Sequence, residues 1–445
     1  MDCGKGSAAA VTSLHAIGMQ DDYLTSNDGE SFYKPNTTQH TNFSRYNSYH
    51  LKKRPNGSAG TSWPFGETIK WELNPTQMGD LLSNMYLKCR LPELSNTSSP
   101  GDITYMDQVG RAIINQIKFK VDETTLETIN NDWFIIQDEL MATTEEKWGL
   151  NFVVNGGAPF GLLPGSSAFA GPMDLYIPLG LFFSHRQTNA IEEYTPYFPV
   201  CAITNQKIYI DIEFNPQTFF ANTAGALTMD QITLVTEEIT LTERERNHFM
   251  FKKQSFLLNT VIPGQALRIE SGTTGARYNI NVAHPVKAMY WFFRNVDFED
   301  KSDSQLILER YNLTSNVATS NVFLEGQYPV MASARVWLNK QEQIDFTSEE
   351  NTYDSSSTLY YKYVQPRAHN LYSPARNIYT YSFSLNPKVP KPTGAVDMAK
   401  MNSNTTFIDV SLNRNALSNT YNMYTFYTGY KVFTTENGFG SLTFG

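Results

Sequence analysis

The sequence predicts an all-β protein built from two similar domains in tandem. Three observations support this prediction. Aromatic residues make up 13% of the chain, short strand-like runs recur between polar or Gly/Pro-containing segments, and one ordered pair of runs occurs twice. Strands favour aromatic and β-branched side chains, and many short strands separated by turns indicate a sandwich or barrel. The 445 residues suffice for two domains of roughly 200 residues each.

The predicted strands are short and alternate in polarity. In TIKWELNP (68–75), Ile69, Trp71 and Leu73 share one face of a strand. Hairpins are predicted at 115–129 and 334–346, where alternating residues are followed by a polar turn and an apolar return. The other predicted strands are 85–94, 112–122, 174–183, 207–214, 231–242, 255–262, 286–295, 378–387 and 406–413.

Helical pattern is scarce, and the best helix candidate is NNDWFIIQDELMATTEEKWG (130–149). Its residues Trp133, Ile136 and Leu140 are spaced so that they fall on one face of a helix, and acidic residues come early. The sequence therefore predicts a helix here.

A weak internal repeat indicates two copies of one β domain. YIPLGLFF is followed about thirty residues later by KIYIDIEF, and IYTYSFSL is followed at a similar distance by TFIDVSLN. The densest charged segment, LTERERNHFM (241–250), lies between the two copies. We interpret Glu243, Arg244, Glu245 and Arg246 as a solvated link that touches the joint between the domains.

Charge and cysteine content narrow the function classes. The formal net charge is −9, whereas nucleic-acid binding needs a clustered basic surface. The three cysteines are widely spaced, which fits a reducing compartment better than a disulfide framework or a zinc site. No apolar stretch reaches the ~18 residues of a membrane span. The first residues lack a secretory pattern, so we do not expect secretion by that route.

No arrangement of residues predicts a catalytic, cofactor or metal site. None of the seven histidines forms a metal-ligand spacing with another. A glycosidase needs two facing carboxylates, but adjacent glutamates at the ends of strands or helices are usually solvated. That is our interpretation of all the pairs in this chain, which are Glu145-Glu146, Glu192-Glu193, Glu237-Glu238 and Glu349-Glu350. We expect no cofactor, no metal and no enzymatic activity.

Six Asn-X-Ser/Thr sequons occur, at Asn36, Asn42, Asn56, Asn96, Asn312 and Asn404. Without a secretory signal, we interpret most of them as chance products of an Asn- and Thr-rich surface. Asn96, Asn312 and Asn404 are kept as the candidates for glycosylation.

The run HPVKAMYWFFRN (284–295) could be read as a ligand platform or as core. From Val286 onward, alternation places Ala288, Tyr290 and Phe292 on one face and Met289, Trp291 and Phe293 on the other. Because both faces are apolar, we expect this strand to be buried on both sides. One face would pack in its own sandwich, and the other against a neighbouring domain or subunit. The predicted core or interface residues are Trp133, Phe134, Tyr290, Trp291, Phe292 and Phe293.

Short motifs in a fixed order resemble one known family. In the first half they are Gly18-Met19-Gln20-Asp21-Asp22-Tyr23-Leu24-Thr25, Ser31-Phe32-Tyr33-Lys34, Thr41-Asn42-Phe43, Asn131-Asp132-Trp133-Phe134, and Tyr176-Ile177-Pro178-Leu179 leading into Phe182-Phe183. In the second half they are Glu243-Arg244-Glu245-Arg246 with Phe249, His284-Pro285-Val286-Lys287 with Trp291, Val364-Gln365-Pro366, Tyr381-Ser382-Phe383-Ser384-Leu385-Asn386-Pro387, Pro392-Thr393-Gly394 and Asn404-Thr405-Thr406. This ordered set resembles the double jelly-roll major capsid proteins of large eukaryotic (nucleocytoplasmic) DNA viruses. The segments 151–172, 297–329 and 347–358 do not match that pattern.

The resemblance implies a fold and an assembly. Each domain would be an eight-stranded jelly-roll β-sandwich of two four-stranded sheets, with short helices in the connecting loops. The expected organisation is an N-terminal arm (1–25), a first jelly roll (26–241), a linker (242–250) and a second jelly roll (251–445). Three copies would form a pseudo-hexagonal capsomer that tiles an icosahedral virus shell.

The resemblance also implies partners and a location. The partners would be the chain itself as a homotrimer, neighbouring trimers, and minor capsid and penton proteins. An inner membrane would be a further partner, contacted through other proteins, and nucleic acid would not be bound directly and sequence-specifically. The protein would be made and assembled in the host cytoplasm and reside in the capsid shell of the virion.

Two other function classes stay open. A carbohydrate- or receptor-binding, spike-like β-sandwich would use its aromatics as exposed platforms and would stay monomeric or bind glycans in isolation. A glycan-active β-sandwich hydrolase would need a convergent acidic pocket.

Overall fold

The strands of the computed structural model form four antiparallel sheets, two in each half of the chain. The structure describes residues 18, 20, 41–53, 62–94, 105–155, 172–184, 197–221, 223, 225–300, 310–315, 328–344 and 356–444. All four sheets lie in one compact unit, Phe43–Gly445. The predicted N-terminal arm lies almost entirely outside the described residues.

The first half forms one sandwich. Its strands are β1 (Phe43–Leu51), β2 (Trp63–Pro64), β3 (Thr68–Leu73), β4 (Leu81–Leu91), β5 (Ile114–Val121), β6 (Thr124–Asn130), β7 (Met173–Pro178), β8 (Phe198–Pro199), β9 (Ile208–Phe214) and β10 (Thr228–Leu241). One sheet has the order β1-β10-β4-β7, with the two-residue strands β2 and β8 attached, and the other has the order β3-β9-β5-β6.

The second half forms another sandwich. Its strands are β11 (Gln254–Pro263), β12 (Leu267–Ile269), β13 (Gly275–Asn279), β14 (Pro285–Asn295), β15 (Met331–Leu338), β16 (Gln341–Glu342), β17 (Ile378–Ser382), β18 (Val396–Asp397), β19 (Phe407–Leu412), β20 (Tyr421–Glu436) and β21 (Phe439–Phe444). One sheet has the order β11-β20-β14-β17, with β12, β18 and β21 attached, and the other has the order β13-β19-β15-β16.

The two sandwiches share one strand order, which is the eight-stranded double jelly roll expected from the sequence. The strands correspond one to one. The order β1-β10-β4-β7 corresponds to β11-β20-β14-β17, and the order β3-β9-β5-β6 corresponds to β13-β19-β15-β16. The short extra strands enlarge one sheet of each sandwich beyond the four strands expected per sheet. No strand of the first ten pairs with any of the other described strands, so each sandwich has its own ladders.

Alternating burial shows how the sequence forms these sheets. In β9 every second residue is buried, from Ile208 to Phe214, and β3 alternates in the same way. The two predicted hairpins are confirmed: β5 pairs with β6, and β15 pairs with β16. The second turn uses Asn339 and Lys340 at positive φ, the backbone conformation that a tight two-residue hairpin requires.

The helices lie in the connections between strands. The α-helices whose bounds the structure describes are α1 (Val109–Ala112), α2 (Asn131–Leu140), α3 (Thr144–Val154), α4 (Glu243–Phe251), α5 (Asp297–Asp300), α6 (Ser356–Leu359) and α7 (Gln365–Ala368). A π-helical turn, Tyr360–Val364, joins α6 to α7 without a break, and we refer to the whole as the α6–α7 helix.

The segment 130–149 is helical, as predicted, but it forms two helices, α2 and α3, rather than one. Thr143 begins α3 with a capping box: its hydroxyl accepts a hydrogen bond from the Glu146 amide, and the Glu146 side chain accepts one from the Thr143 amide. Trp133, Ile136 and Leu140 are all buried, and so are residues around most of the circumference of α2. Glu145 and Glu146 are exposed in α3, as predicted.

Two predicted strands are too long. The run 174–183 is a strand only to Pro178, because Gly180 adopts a left-handed conformation (φ 59°) that ends the extended chain. The run 378–387 is a strand only to Ser382. There the Ser382 hydroxyl donates a 2.7 Å hydrogen bond to the Ser384 carbonyl and so stabilises a local turn.

The pair Glu237-Glu238 is buried in the middle of β10, so the prediction that it is solvated is wrong. The two side chains point to opposite faces of the sheet, and each finds its own donors. Glu237 accepts a 2.6 Å hydrogen bond from Asn84 and pairs with Arg45. Glu238 accepts hydrogen bonds from the Gly79 amide (2.7 Å) and the Thr236 hydroxyl (2.6 Å). The pairs Glu192-Glu193 and Glu349-Glu350 lie outside the described residues.

Changing Trp291 to alanine should destabilise the second sandwich strongly. Trp291 is fully buried and packs on Tyr361 and Tyr379 at 5.2 and 5.9 Å between ring centroids. We expect a loss of about 3–5 kcal/mol in the free energy of unfolding, measured by chemical denaturation. The matched control is Trp148→Ala, because Trp148 is 62% exposed and should change stability by no more than about 0.5 kcal/mol. Equal losses in both variants would contradict this assignment of the core.

Candidate functional site: the seam between the sandwiches

The two sandwiches meet along a buried surface, which we call the seam. It is formed by α2 and β6 of the first sandwich and by the outer face of β14 and β20 in the second. Alternation along β14 divides its aromatic run between two cores. Met289, Trp291 and Phe293 lie in the core of the second sandwich, whereas Tyr290 and Phe292 belong to the hydrophobic cluster of the first. The aromatic run is therefore buried on both faces, and protein covers both.

Aromatic rings form the centre of the seam. The edge of Trp133 meets Tyr290 at 5.5 Å between ring centroids, and Trp133 also lies 6.0 Å from Phe426. Phe292 stacks on Phe426 and on Tyr424, at 6.3 and 5.4 Å. Edge-to-face and offset pairs of this kind contribute about 0.5–1.5 kcal/mol beyond the area that they bury. The seam is thus packed like a domain core.

Helix α2 supplies residues to both sides. Phe134 is fully buried and lies under the Arg111 guanidinium of α1, 4.4 Å from the ring centroid. Trp133, next to it, packs into the seam. The first sandwich holds one side of the helix and the second sandwich holds the other, which explains why α2 lacks the single apolar face of an ordinary surface helix.

A buried ion pair lies at one end of the aromatic cluster. Arg294 of β14 donates two hydrogen bonds to the Asp132 carboxylate of α2, at 2.5 and 3.3 Å. Glu299 lies 3.5 Å from the same guanidinium and accepts a 2.7 Å hydrogen bond from Tyr424. Burial alone would lower the pKa of Arg294, but these carboxylates raise it above the ordinary value. The arginine is therefore charged, and it connects the two sandwiches.

Further polar contacts continue along the seam at the C-terminal end of α2. The Ala375 amide of the second sandwich donates a 3.0 Å hydrogen bond to Glu139, and the Tyr372 amide donates a 2.9 Å hydrogen bond to the Leu140 carbonyl. Arg376 lies 3.6 Å from Glu139 as well. Because these bonds use backbone groups, they fix the position of the chain before β17 against the end of α2.

Glu127 of β6 is a buried acid on the same surface. Its carboxylate accepts a 2.8 Å hydrogen bond from the Phe182 amide. Across the seam, Lys431 of β20 donates to the Leu126 carbonyl at 3.3 Å. Burial raises the pKa of Glu127 to about 8, although the Phe182 amide and the Lys431 charge act in the opposite direction. Burial has the opposite effect on the basic side chain and lowers the pKa of Lys431.

A cleft of about 510 Å³ opens beside the ion pair and includes Asp132, Arg294, Glu299 and Tyr424 among its walls. Both carboxylates already have partners: Asp132 is held by Arg294, and Glu299 accepts from Tyr424. Both carboxylates also contact the Arg294 guanidinium, whose charge they share. Among the described residues, no group of three or more His, Cys, Asp or Glu could hold a metal ion.

The described cysteines are buried and lack nucleophilic character. Burial raises the pKa of Cys89 and of Cys201 to about 12 in each case, so both thiols stay protonated at neutral pH. In the part of the chain that the structure describes, no helix is long and apolar enough to cross a membrane.

The predicted link between the domains is helix α4, and none of its residues is buried. Glu243 and Arg244 are exposed. Arg246 donates two hydrogen bonds to Asp80 at 2.7 and 2.9 Å, and this contact attaches the helix to the first sandwich. Glu245 forms part of the first turn of the helix.

The candidate sequons differ in accessibility. Asn312 is only 3% exposed, and its side-chain oxygen accepts hydrogen bonds from the Thr314 amide and hydroxyl. It cannot receive a glycan in the folded chain. Asn404 is exposed, and Asn96 lies outside the described residues.

Sequence reasoning placed the aromatic residues but missed the charged ones. Arg294, which receives no role in the sequence analysis, lies next to the last residue of β14 and is buried and paired. Asp132 belongs to the motif Asn131-Asp132-Trp133-Phe134, which assigns it no separate role. Glu127 lies in the hairpin predicted at 115–129. The sequence signal for these residues is a charged side chain next to an apolar stretch. Such a charge is buried together with its neighbours, and a buried charge requires a partner of opposite sign.

Changing Asp132 to asparagine should weaken the seam, because it leaves Arg294 buried without its main carboxylate. We expect a loss of about 3–5 kcal/mol in the free energy of unfolding. The control is Asp409→Asn, which removes a similar two-bond partner from Arg277 on an exposed surface. That change should cost less than about 1 kcal/mol. Chemical denaturation of both variants decides the question, and a small effect of Asp132→Asn would show that the pair does not hold the seam.

Stability should also fall as the pH rises, because of Glu127. Its folded-state pKa of about 8 lies above the ordinary value of 4.5. The stabilisation linked to its protonation is therefore full below about pH 4.5 and is lost as the pH rises towards 8. Glu127→Gln keeps the shape without the titration, so its Tm should fall less between pH 6 and pH 9 than that of the unmodified chain. Parallel Tm curves for the two proteins would contradict this assignment. Glu72→Gln, at an exposed residue paired with Lys207, is the control and should behave like the unmodified chain.

Comparison with known proteins agrees with the double sandwich. Residues 220–443 match the family model described as large eukaryotic DNA virus major capsid protein, and residues 31–243 match that of the major capsid protein N-terminus. The chain is 24% identical to the major capsid protein of Pyramimonas orientalis virus, over 98% of both chains. It is 25% identical to capsid protein 1 of Acanthamoeba polyphaga mimivirus, over 64% of this chain and about half (48%) of that protein.

Solved structures support the fold. PBCV-1 VP54, in a crystal structure fitted into a reconstruction of the virophage Sputnik, superposes with a TM-score of 0.69. The match covers 93% of this chain and 100% of that one, at 18% sequence identity. Because two family models match nearly the whole chain in order, and because the folds agree, the protein belongs to the major capsid proteins of large eukaryotic DNA viruses, the structural proteins of the virion shell.

Proposed function

We propose that three copies of this chain associate into a pseudo-hexagonal trimer and that such trimers tile an icosahedral shell. The observation that supports this most directly is the internal repeat. Two sandwiches with one strand order in each chain give six similar units per trimer. A block with nearly sixfold shape has equivalent edges, so it can pack against copies of itself in a sheet.

The seam favours such a tiling role. A tile must keep a constant angle between its units, because an error at each edge would accumulate across a shell. The buried aromatic cluster and the Asp132–Arg294 pair fix the two sandwiches by directional contacts. A seam of this kind favours a single arrangement over hinged motion, whereas ordinary interfaces between domains permit relative movement.

The finer parts of the proposal follow from this role. The proposed domain boundaries are an N-terminal arm (1–25), a first jelly roll (26–241), a linker (242–250) and a second jelly roll (251–445). The predicted core, interface and link residues act in folding and assembly rather than in catalysis. The proposed partners are neighbouring trimers, minor capsid and penton proteins, with assembly in the host cytoplasm.

Purified protein should be a trimer of about 150 kDa, three times the 50.4 kDa chain mass. Light scattering coupled to size exclusion measures this mass directly. A stable monomer would contradict the proposal and favour a spike-like binding protein. Electron microscopy of assembled material should then show hexagonally arrayed trimers.

A further inference from the structure

The cleft beside the Asp132–Arg294 pair is formed by strand ends and loops of both sandwiches. In the first sandwich, the start of β5 lies beside the end of β6 and the end of β9. In the second, the end of β14 lies beside the start of β20. The residues that line the cleft come from these strand ends and from the loops that follow them, so the strand registers bring together residues that lie far apart in the chain.

The size and position of the cleft are those of a small-molecule site. Its volume of about 510 Å³ falls within the ~300–1,000 Å³ of such sites, which lie preferentially where two domains meet. Thr218, in the loop between β9 and β10, is exposed, so the cleft can be reached from solvent. Its walls come from a single chain, and binding there needs no second copy.

The charges along the cleft balance one another. Two carboxylates line it, those of Asp132 and Glu299, and two guanidiniums line it as well, those of Arg294 and Arg310. Glu299 lies 3.5 Å from Arg294, and its backbone carbonyl accepts a 3.0 Å hydrogen bond from Arg310. An anion would meet the carboxylates and a cation would meet the guanidiniums, and either ion would lose hydration on entry. The walls therefore favour a neutral ligand.

Polar groups with spare hydrogen-bonding capacity indicate a ligand rich in hydroxyls. The Asn131 side-chain oxygen accepts a 2.9 Å hydrogen bond from the Asp132 amide, whereas its amide nitrogen has no partner among the described residues. The Thr218 hydroxyl likewise has none in that part of the chain. Asn115 donates to Glu213 at 2.8 Å, which leaves its side-chain oxygen as an acceptor. Because a hydroxyl both donates and accepts, a polyol can satisfy donors and acceptors together.

Two aromatic rings, Phe219 and Tyr424, line the same cleft. Arg310 lies over Phe219, 4.2 Å from the ring centroid, and Tyr424 stacks on Phe292 at 5.4 Å. These contacts hold both rings in position. A sugar ring presents C–H groups on its faces and hydroxyls around its edge. It therefore matches a site that combines aromatic surface with a few fixed polar groups.

We propose that the cleft binds a neutral saccharide, in the form of one or two hexose units of a glycan. The sugar hydroxyls bond to Asn115, Asn131 and Thr218, and a face of the sugar ring lies against the aromatic wall. Asp132 and Arg294 belong both to the seam and to the cleft, so the contact that joins the sandwiches also fixes the shape of the site. Because the ligand is uncharged, its affinity should be almost independent of salt.

The test titrates the purified full chain with four neutral disaccharides, which are lactose, maltose, cellobiose and N,N′-diacetylchitobiose. Saturation-transfer difference NMR measures the binding. At least one of the four should bind saturably with a Kd of about 1 mM or tighter, at low and at high salt alike. Inorganic phosphate, the anionic probe, should not displace it. Saturable binding by none of the four sugars, or displacement by phosphate, would overturn the proposal.

The variant Thr218→Trp locates the site. Since Thr218 is exposed, the larger side chain can fill the cleft without entering the core, and it should weaken binding by about tenfold or more. Asn115→Ala removes one hydrogen-bonding partner without adding bulk and should weaken binding by about fivefold. An unchanged Tm for either variant shows that the fold is kept.

The matched control is Trp148→Ala, which removes a 62% exposed aromatic side chain of α3 outside the cleft. This variant should bind the sugar as the unmodified chain does. Binding that survives both cleft variants, or that is lost with Trp148, would refute the assignment to the cleft. Binding by a monomeric chain would contradict only the proposed trimer, whereas a trimer that binds none of the sugars would contradict only the saccharide site.

Discussion

The packing of Trp133 against Tyr290 and the pairing of Asp132 with Arg294 form one continuous contact, on which the double sandwich depends. Neighbouring residues of α2 meet alternate residues of β14, so the apolar and ionic contacts share one register. A shift of either element would break both at once. Apolar packing supplies most of the attraction in such contacts, whereas the ion pair penalises the wrong register because an unpaired buried charge is costly.

Similar logic operates elsewhere in the first sandwich. Glu237 and Glu238 lie inside β10, and their donors come from β4, β1, the turn before β4 and Thr236 of β10 itself. Burial would raise the pKa of Glu237, but the Asn84 hydrogen bond and the Arg45 charge hold it below its usual value. Two buried carboxylates on opposite faces define which strands may lie beside β10. Because only β1 and β4 bring the required donors, the two carboxylates favour the strand order β1-β10-β4 over other orders. Apolar side chains alone would discriminate less between neighbouring strands.

The sequence predicted the fold class and the strands well, because alternation along strands such as β3 and β9 directly reports burial. It also predicted that Tyr290 and Trp291 point in opposite directions. It could not predict what covers Tyr290, since one chain position does not reveal its partner across more than a hundred residues. The helices were predicted least well. The pattern in α2 is blurred by burial on two sides, and the capping box of Thr143 was hidden in a polar stretch.

The enclosure of α2 has a consequence for biosynthesis. The helix leaves the ribosome about 160 residues before the part of β14 that covers it. At about 5–20 residues per second, this delay lasts roughly 8–30 seconds. During that interval the first sandwich can complete its own sheets, while the Trp133 side of α2 still lacks the second sandwich. Nascent chains on one polysome therefore expose the same unsatisfied apolar surface near one another, at the stage when premature association is most damaging.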